Sequence, residues 1–265
     1  MIKVKKDLEN IPNSLVDKKT ITRRNTCIRD KKYHQNKKFH QRYKQNDIQE
    51  LLGQIYHQKC SFCEQQVTKC TDNNLEDCSS TVEHYRPKSQ YYWLAFSWDN
   101  LLWCCHRCNQ NKANNFEIEN SEVEYNKNFQ ENIHTSANTY HSIENPKMIH
   151  PEIESVIDKL EFDKGIIDSD DLRVKYTIKT CGLDRDSLNE KRQTVIDDFI
   201  EAIIDKKLKN EPIQDLLKEW MSDLKDREKE FIALRYWVLK NYKSLVGKEY
   251  NLKPTKNPYQ QYHQN

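Results

Sequence analysis

The sequence predicts an α-rich α+β fold in which a small cysteine-clamped module sits between helical N- and C-terminal regions. Three observations predict it. Two Cys-x-x-Cys pairs, Cys60/Cys63 and Cys105/Cys108, enclose a stretch that reads as strand, loop, strand and then helix. Apolar residues recur at helical spacing ahead of the first pair and again through the C-terminal half. Only 4 glycines occur in 265 residues, which argues against glycine-rich phosphate loops and a dinucleotide-binding fold.

Residues 1–58 form the first predicted region, basic and helical. Apolar residues at 48, 51, 52, 55 and 56 share one helical face and lead into Cys60. Residues 59–120 form the module. Residues 64–81, with Cys70, Asp72, Asn73, Asn74 and Cys78, read as a loop. Thr81–Tyr85 reads as a short strand that Pro87 ends, and Asn100–Cys104 as the returning strand. The apolar stretch Tyr91–Phe96 is expected to pack on the module, and a helix to start near Asn109. Residues 121–147 are polar and asparagine-rich, a linker or surface excursion. Residues 148–265 read as a helical region carrying a small hairpin that turns at Lys164-Gly165. Leu188, Val195, Ile196, Phe199, Ile200, Ile203 and Ile204 share one helical face. Ile213, Leu216, Leu217, Trp220, Met221, Leu224, Phe231, Leu234, Trp237 and Val238 form a second, longer pattern whose tryptophans read as core. The polar last fifteen residues are expected to fray.

Composition narrows the class. No apolar run approaches the roughly 18 residues that span a membrane, and the N-terminus lacks the apolar stretch of a secretory signal, so a cytoplasmic location is the default expectation. In a reducing compartment 9 cysteines point to metal rather than to disulfides. Four thiolates in two close pairs can close a tetrahedral Zn²⁺ site. Cys104, His106, Cys70 and Cys78 are competing ligands, whereas Cys27 and Cys181 read as ordinary buried thiols. Net charge is +2, but residues 1–59 hold 15 Lys+Arg against 6 Asp+Glu, a balance of +9. That excess suits a phosphate backbone, and equally a solvated basic segment.

The residues between the cysteine pairs carry the chemistry. Phosphodiester hydrolysis needs a water made nucleophilic and charge neutralised at the phosphate. His84 has a side chain whose ordinary pKa suits it to take the proton of that water. Glu83 precedes it on the same strand and points to the opposite face, so a bend is needed to bring both to one cation.

From Cys60 to Lys112 the chain resembles the HNH nuclease family, whose fold is the ββα-metal fold. The matching residues are Cys60/Cys63, Glu83-His84, Pro87, Ser89, Asn100-Leu101, Cys105/Cys108, Asn109 and Lys112, about a fifth of the chain. The resemblance implies a zinc-clamped ββα-metal core. It implies structural Zn²⁺ on Cys60, Cys63, Cys105 and Cys108, and a catalytic Mg²⁺ or Mn²⁺ on Glu83 and Asn109. His84 would be the general base, and Asn100 would hydrogen-bond within the loop and orient it. The last position is often His in the family and is Asn109 here, which favours Mg²⁺. Asn100 and Asn109 also read as turn and cap residues. Arg86, Lys88 and Lys112 are candidate phosphate contacts.

Beyond the module the chain resembles the PtuB-type nucleases of Septu and related retron-linked antiphage defence. The supporting stretches are Met1–Val4, Glu83–Lys88, Trp98–Leu102, Ile149–Glu152, Leu160–Gly165 and Cys181–Leu188. The resemblance implies a nuclease acting on DNA or RNA with a PtuA-type ATPase as partner, and the chain has no Walker-type loop of its own. The alternatives are a zinc-stabilised nucleic-acid-binding module and a scaffold subunit, both without catalysis.

Overall fold

The computed structural model describes residues 1–67, 79–127 and 132–246. Cys70, Cys78 and the polar last fifteen residues lie outside the described residues. The N-terminal region folds into α1 (Asn13–Val16), α2 (Lys18–Asp30), α3 (Lys37–His40) and α4 (Asn46–Ile55). Asp17 starts α2 by accepting the Thr20 amide at 2.7 Å, which satisfies one of the donors a helix start leaves open. Lys31 ends it in the left-handed conformation, φ 50°. The apolar face expected ahead of Cys60 is α4, with Ile48 and Leu52 fully buried.

The expected strand, loop, strand and helix form next. β1 (Ser80–His84) pairs antiparallel with β2 (Leu101–Cys105), with Ser80 opposite Cys105 and His84 opposite Leu101. α5 (His106–Lys112) follows β2 without a break. Every residue of β2 is buried, because α4 and α5 both pack on the hairpin.

The stretch 121–147 is more than a linker. It contains α6 (Ala137–Glu144), and Glu144 is fully buried against the module. A carboxylate enters a core only with a partner, and Arg86 provides one at 2.7 Å.

Downstream, β3 (Glu161–Asp163) and β4 (Ile166–Asp168) make the expected hairpin. Gly165 is obligatory in its turn: φ is 76°, and a Cβ there would meet the Asn189 carbonyl at 2.1 Å. Then come α7 (Leu172–Cys181), α8 (Asp186–Leu208), α9 (Gln214–Asp223) and α10 (Ile232–Val246). α8 buries Leu188, Ile196, Phe199 and Ile203, but Ile204 of the same predicted face is 46% exposed. The longer apolar pattern splits into α9 and α10, because Asp226 caps the Glu228 amide at 2.9 Å and Phe231 turns left-handed, φ 54°.

Leu15, Leu52, Val82, Trp103, Leu160, Phe199 and Val238 belong to one apolar cluster, so α1, α4, the module and the C-terminal helices share a core. Among the described residues no helix is long and apolar enough to cross a membrane.

Candidate active site

The cysteine pairs meet. Ser61 donates its amide to the Trp103 carbonyl at 2.9 Å, and the tight turn Cys60–Glu64 closes with Glu64 N donating to Cys60 O at 3.0 Å. This lays the first pair beside the end of β2. The Sγ atoms of Cys60, Cys63, Cys105 and Cys108 all lie within 4.8 Å of one another and all four residues are buried. Zinc at about 2.3 Å from four sulfurs needs them about 3.8 Å apart, so the donor set and its spacing fit that metal. Cys105 Sγ also accepts the Cys108 amide at 3.4 Å and so starts α5. Cys105 is pulled towards its thiolate form, foremost by hydrogen bonds from Cys104 and Cys108. The competing thiol Cys104 has its sulfur 3.7 Å from that of Cys60 and stands beside the group of four. Cys27 and Cys181 are fully buried elsewhere in the core, as expected of inert thiols.

Arg185 faces this cluster. Its Nη1 donates to Cys108 Sγ at 3.5 Å and its Nη2 to Cys105 Sγ at 3.9 Å. Burial opposes its charge, but the sulfurs of Cys108 and Cys63 outweigh burial and raise it above the ordinary arginine value. Gly182 makes this contact possible. It ends α7 at φ 58°, and the turn Gly182–Asp184 carries the chain back so that Arg185 reaches the sulfurs.

His84 ends β1 and is 2% exposed. Ala95 O is 3.0 Å from Nε2 and can only accept, so Nε2 carries the proton and Nδ1 is the basic nitrogen. Asn100 fixes that arrangement. Its Oδ1 accepts the Arg86 amide at 2.8 Å, and its Nδ2 donates to the carbonyls of Arg86 at 3.1 Å and Leu94 at 3.3 Å. One side chain thus ties the strand leaving His84 to the backbone beside Ala95. Burial foremost, then the charge of Lys88, pushes His84 well below the usual histidine value, so the ring is neutral at physiological pH.

Glu83 and His84 have different direct neighbours but share the charge of Lys88. The His84 ring packs edge-on against Tyr43, with centroids 4.5 Å apart. The Glu83 carboxylate faces α5, where Lys112 Nζ donates to Glu83 Oε1 at 2.9 Å and to the His84 carbonyl at 2.8 Å. Asn109, one turn earlier, donates Nδ2 to Thr81 Oγ1 at 2.8 Å, which leaves its Oδ1 as a potential ligand. Glu83 Oε2 and Asn109 Oδ1 are therefore the donors these two residues offer a divalent cation. Among the described residues Glu83 belongs to no cluster of three or more His, Cys, Asp or Glu side chains.

The three candidate phosphate contacts separate. Arg86 is fully buried on Glu144, with the rings of Tyr85, Tyr91, Phe116 and Tyr140 within 5.9 Å of its guanidinium, so it is structural and out of reach of a phosphate. Lys112 is fully buried on Glu83 and is equally out of reach of a phosphate. The physical reason is common: each cation already has a buried carboxylate partner that a sequence window could not reveal. Lys88 alone stays half-exposed, its ammonium 5.6 Å from the ring centres of Tyr33 and Tyr43.

No protein-family model matches the chain. It is 30% identical to the Septu protein PtuB of Bacillus mycoides (strain KBAB4) over 223 residues, which is 75% of this chain and 68% of that protein. The chain belongs to the Septu PtuB family. For this PtuB-family chain the sequence signals carried no role for Tyr43, Ala95, Glu144 or Arg185. Arg185 and Ala95 had only a coarse signal, in the stretches Cys181–Leu188 and Tyr91–Phe96. The others act through tertiary packing that leaves no local pattern.

Proposed function

We propose that the chain is a metal-dependent HNH endonuclease, the nuclease subunit of an antiphage defence complex with a PtuA-type ATPase. The observation that carries this reading is the fixed histidine: His84, neutral, its Nε2 held by Ala95 and its neighbouring backbone clamped by Asn100, with Nδ1 as base. A general base needs a defined tautomer and a fixed orientation, and His84 has both. His84 would take the proton of the attacking water. Glu83 and Asn109 would hold Mg²⁺ or Mn²⁺, which when bound supplies charge neutralisation at the phosphate and the leaving oxygen. Lys112 sets the Glu83 carboxylate in place and ties α5 to the end of β1. Zinc on the four cysteines would pin both ends of the module and have no part in the chemistry.

The relationship to PtuB supports the defence role and the ATPase partner; the nucleic-acid target, DNA or RNA, is open to the same site. Incubation of the purified chain, alone and with its ATPase, with plasmid DNA and structured RNA tests the reading. Cleavage requiring Mg²⁺ or Mn²⁺ that Glu83→Gln and Asn109→Ala each reduce supports it. A stable complex that binds nucleic acid but never cleaves it favours a scaffold instead.

A further inference from the structure

The basic charge of the N-terminal region has a destination. Tyr43, between α3 and α4, packs edge-on against His84. His40 Nδ1 lies 3.0 Å from the Tyr43 hydroxyl and 3.3 Å from the Tyr33 hydroxyl, so the two tyrosines are braced by one imidazole. The Lys88 ammonium is 5.6 Å from both ring centroids, and the Lys44 ammonium is 5.9 Å from that of Tyr43. Two cations therefore stand on the ring that touches His84. His40 and Lys88 are half-buried and Lys44 is exposed.

What sets these lysines apart is their place on the ring that packs against His84. Among the described residues neither Lys44 nor Lys88 makes a salt bridge. Some other lysines are neutralised, as Lys6 is by Glu152 and Lys112 by Glu83 in the core, and Lys206 by Glu211 on the surface of α8. Burial and repulsion from Lys112 and Lys44 disfavour the Lys88 charge, with only Glu83 to offset them. Neighbouring cations held on aromatic rings suit a nucleic-acid backbone.

We infer that Lys44 and Lys88, on the Tyr33–Tyr43 platform braced by His40, form a phosphate-binding wall that delivers a nucleic-acid strand to His84. The inference rests on the nuclease reading for the purpose of the wall but not for its existence. The two lysines of the wall stand more than forty positions apart in the chain.

Binding of fluorescent DNA and RNA oligonucleotides to the full-length chain, carrying His84→Ala so that substrate is not consumed, tests it across a KCl series. Lys44 is exposed, so its replacement leaves folding intact. Lys44→Ala should weaken binding on the order of tenfold and lower the slope of log affinity against log salt by about 0.7–0.9, the share of one phosphate contact. Lys44→Glu should weaken it further, and Lys206→Ala, at a neutralised surface pair, should do nothing. Unchanged affinity and slope in both Lys44 variants overturns the wall, as does a parent that binds no oligonucleotide at low salt. If the wild-type chain never cleaves but the Lys44 variants lose binding, the nuclease reading fails and the wall stands. If it cleaves and the Lys44 variants bind as the parent does, the wall fails and the reading stands.

Discussion

Lys112 Nζ lies 2.9 Å from Glu83 Oε1, with both side chains inside the protein. Removing one member of a buried pair leaves the other charge uncompensated, at a cost of about 3–5 kcal/mol. Lys112→Met should therefore lower the melting temperature strongly. If Glu83 also holds a divalent cation, added Mg²⁺ or Mn²⁺ should restore more stability to this variant than to the wild type. Thermal melts with and without metal read this directly, and equal metal responses would separate Glu83 from cation binding.

The cysteines can be sorted by metal content. The purified chain should carry one equivalent of zinc. Cys105→Ser and Cys108→Ser should lose it, whereas Cys104→Ser should keep it, because Cys104 stands outside the group of four. Zinc retained by Cys105→Ser and lost by Cys104→Ser would reassign the site.

Gly182 joins the metal cluster to the C-terminal helices. At φ 58° a Cβ would meet Asn111 Nδ2 at 2.1 Å, and Asn111 holds the Cys181 carbonyl at 3.3 Å. Gly182→Ala should cost about 1–2 kcal/mol from the left-handed backbone alone. It should also speed zinc loss to a chelator, since Arg185 follows in the same turn. An unchanged release rate would show that Arg185 does not steady the sulfurs.

Much of this was legible in the sequence. The Cys-x-x-Cys spacing marked the sulfurs that converge, and Pro87 and the Lys164-Gly165 turn marked real strand ends. What stayed hidden has a common physical cause. Arg86 and Lys112 looked like surface cations because their partners, Glu144 and Glu83, lie 58 and 29 residues away. α6 was hidden because its polar sequence buries single residues, Tyr140 and Glu144, rather than an apolar stripe. Tyr43 reaches His84 only through the packing of the N-terminal region on the hairpin.

Acid should destabilise the fold through its buried histidines. His134 is held down to about 3, foremost by burial and then by the Arg24 charge, against an ordinary value of 6.5. The unfolded chain takes up this proton at higher pH than the folded one, so stability is full above about 6.5 and falls as pH drops towards about 3. His84 and His150 are displaced in the same direction, mainly by burial. Melting temperature should fall steadily from pH 7 to pH 4.5, and His134→Asn should fall less steeply. Parallel profiles would show that His134 is not a source of the acid sensitivity.

The most direct measurement compares nucleic-acid cleavage by the wild-type chain and His84→Ala, each with the proposed ATPase partner and at matched zinc content. The wild type should cleave in a metal-dependent way, and loss of the histidine should slow cleavage on the order of 10²–10⁴-fold. Cleavage at the wild-type rate by His84→Ala would contradict this.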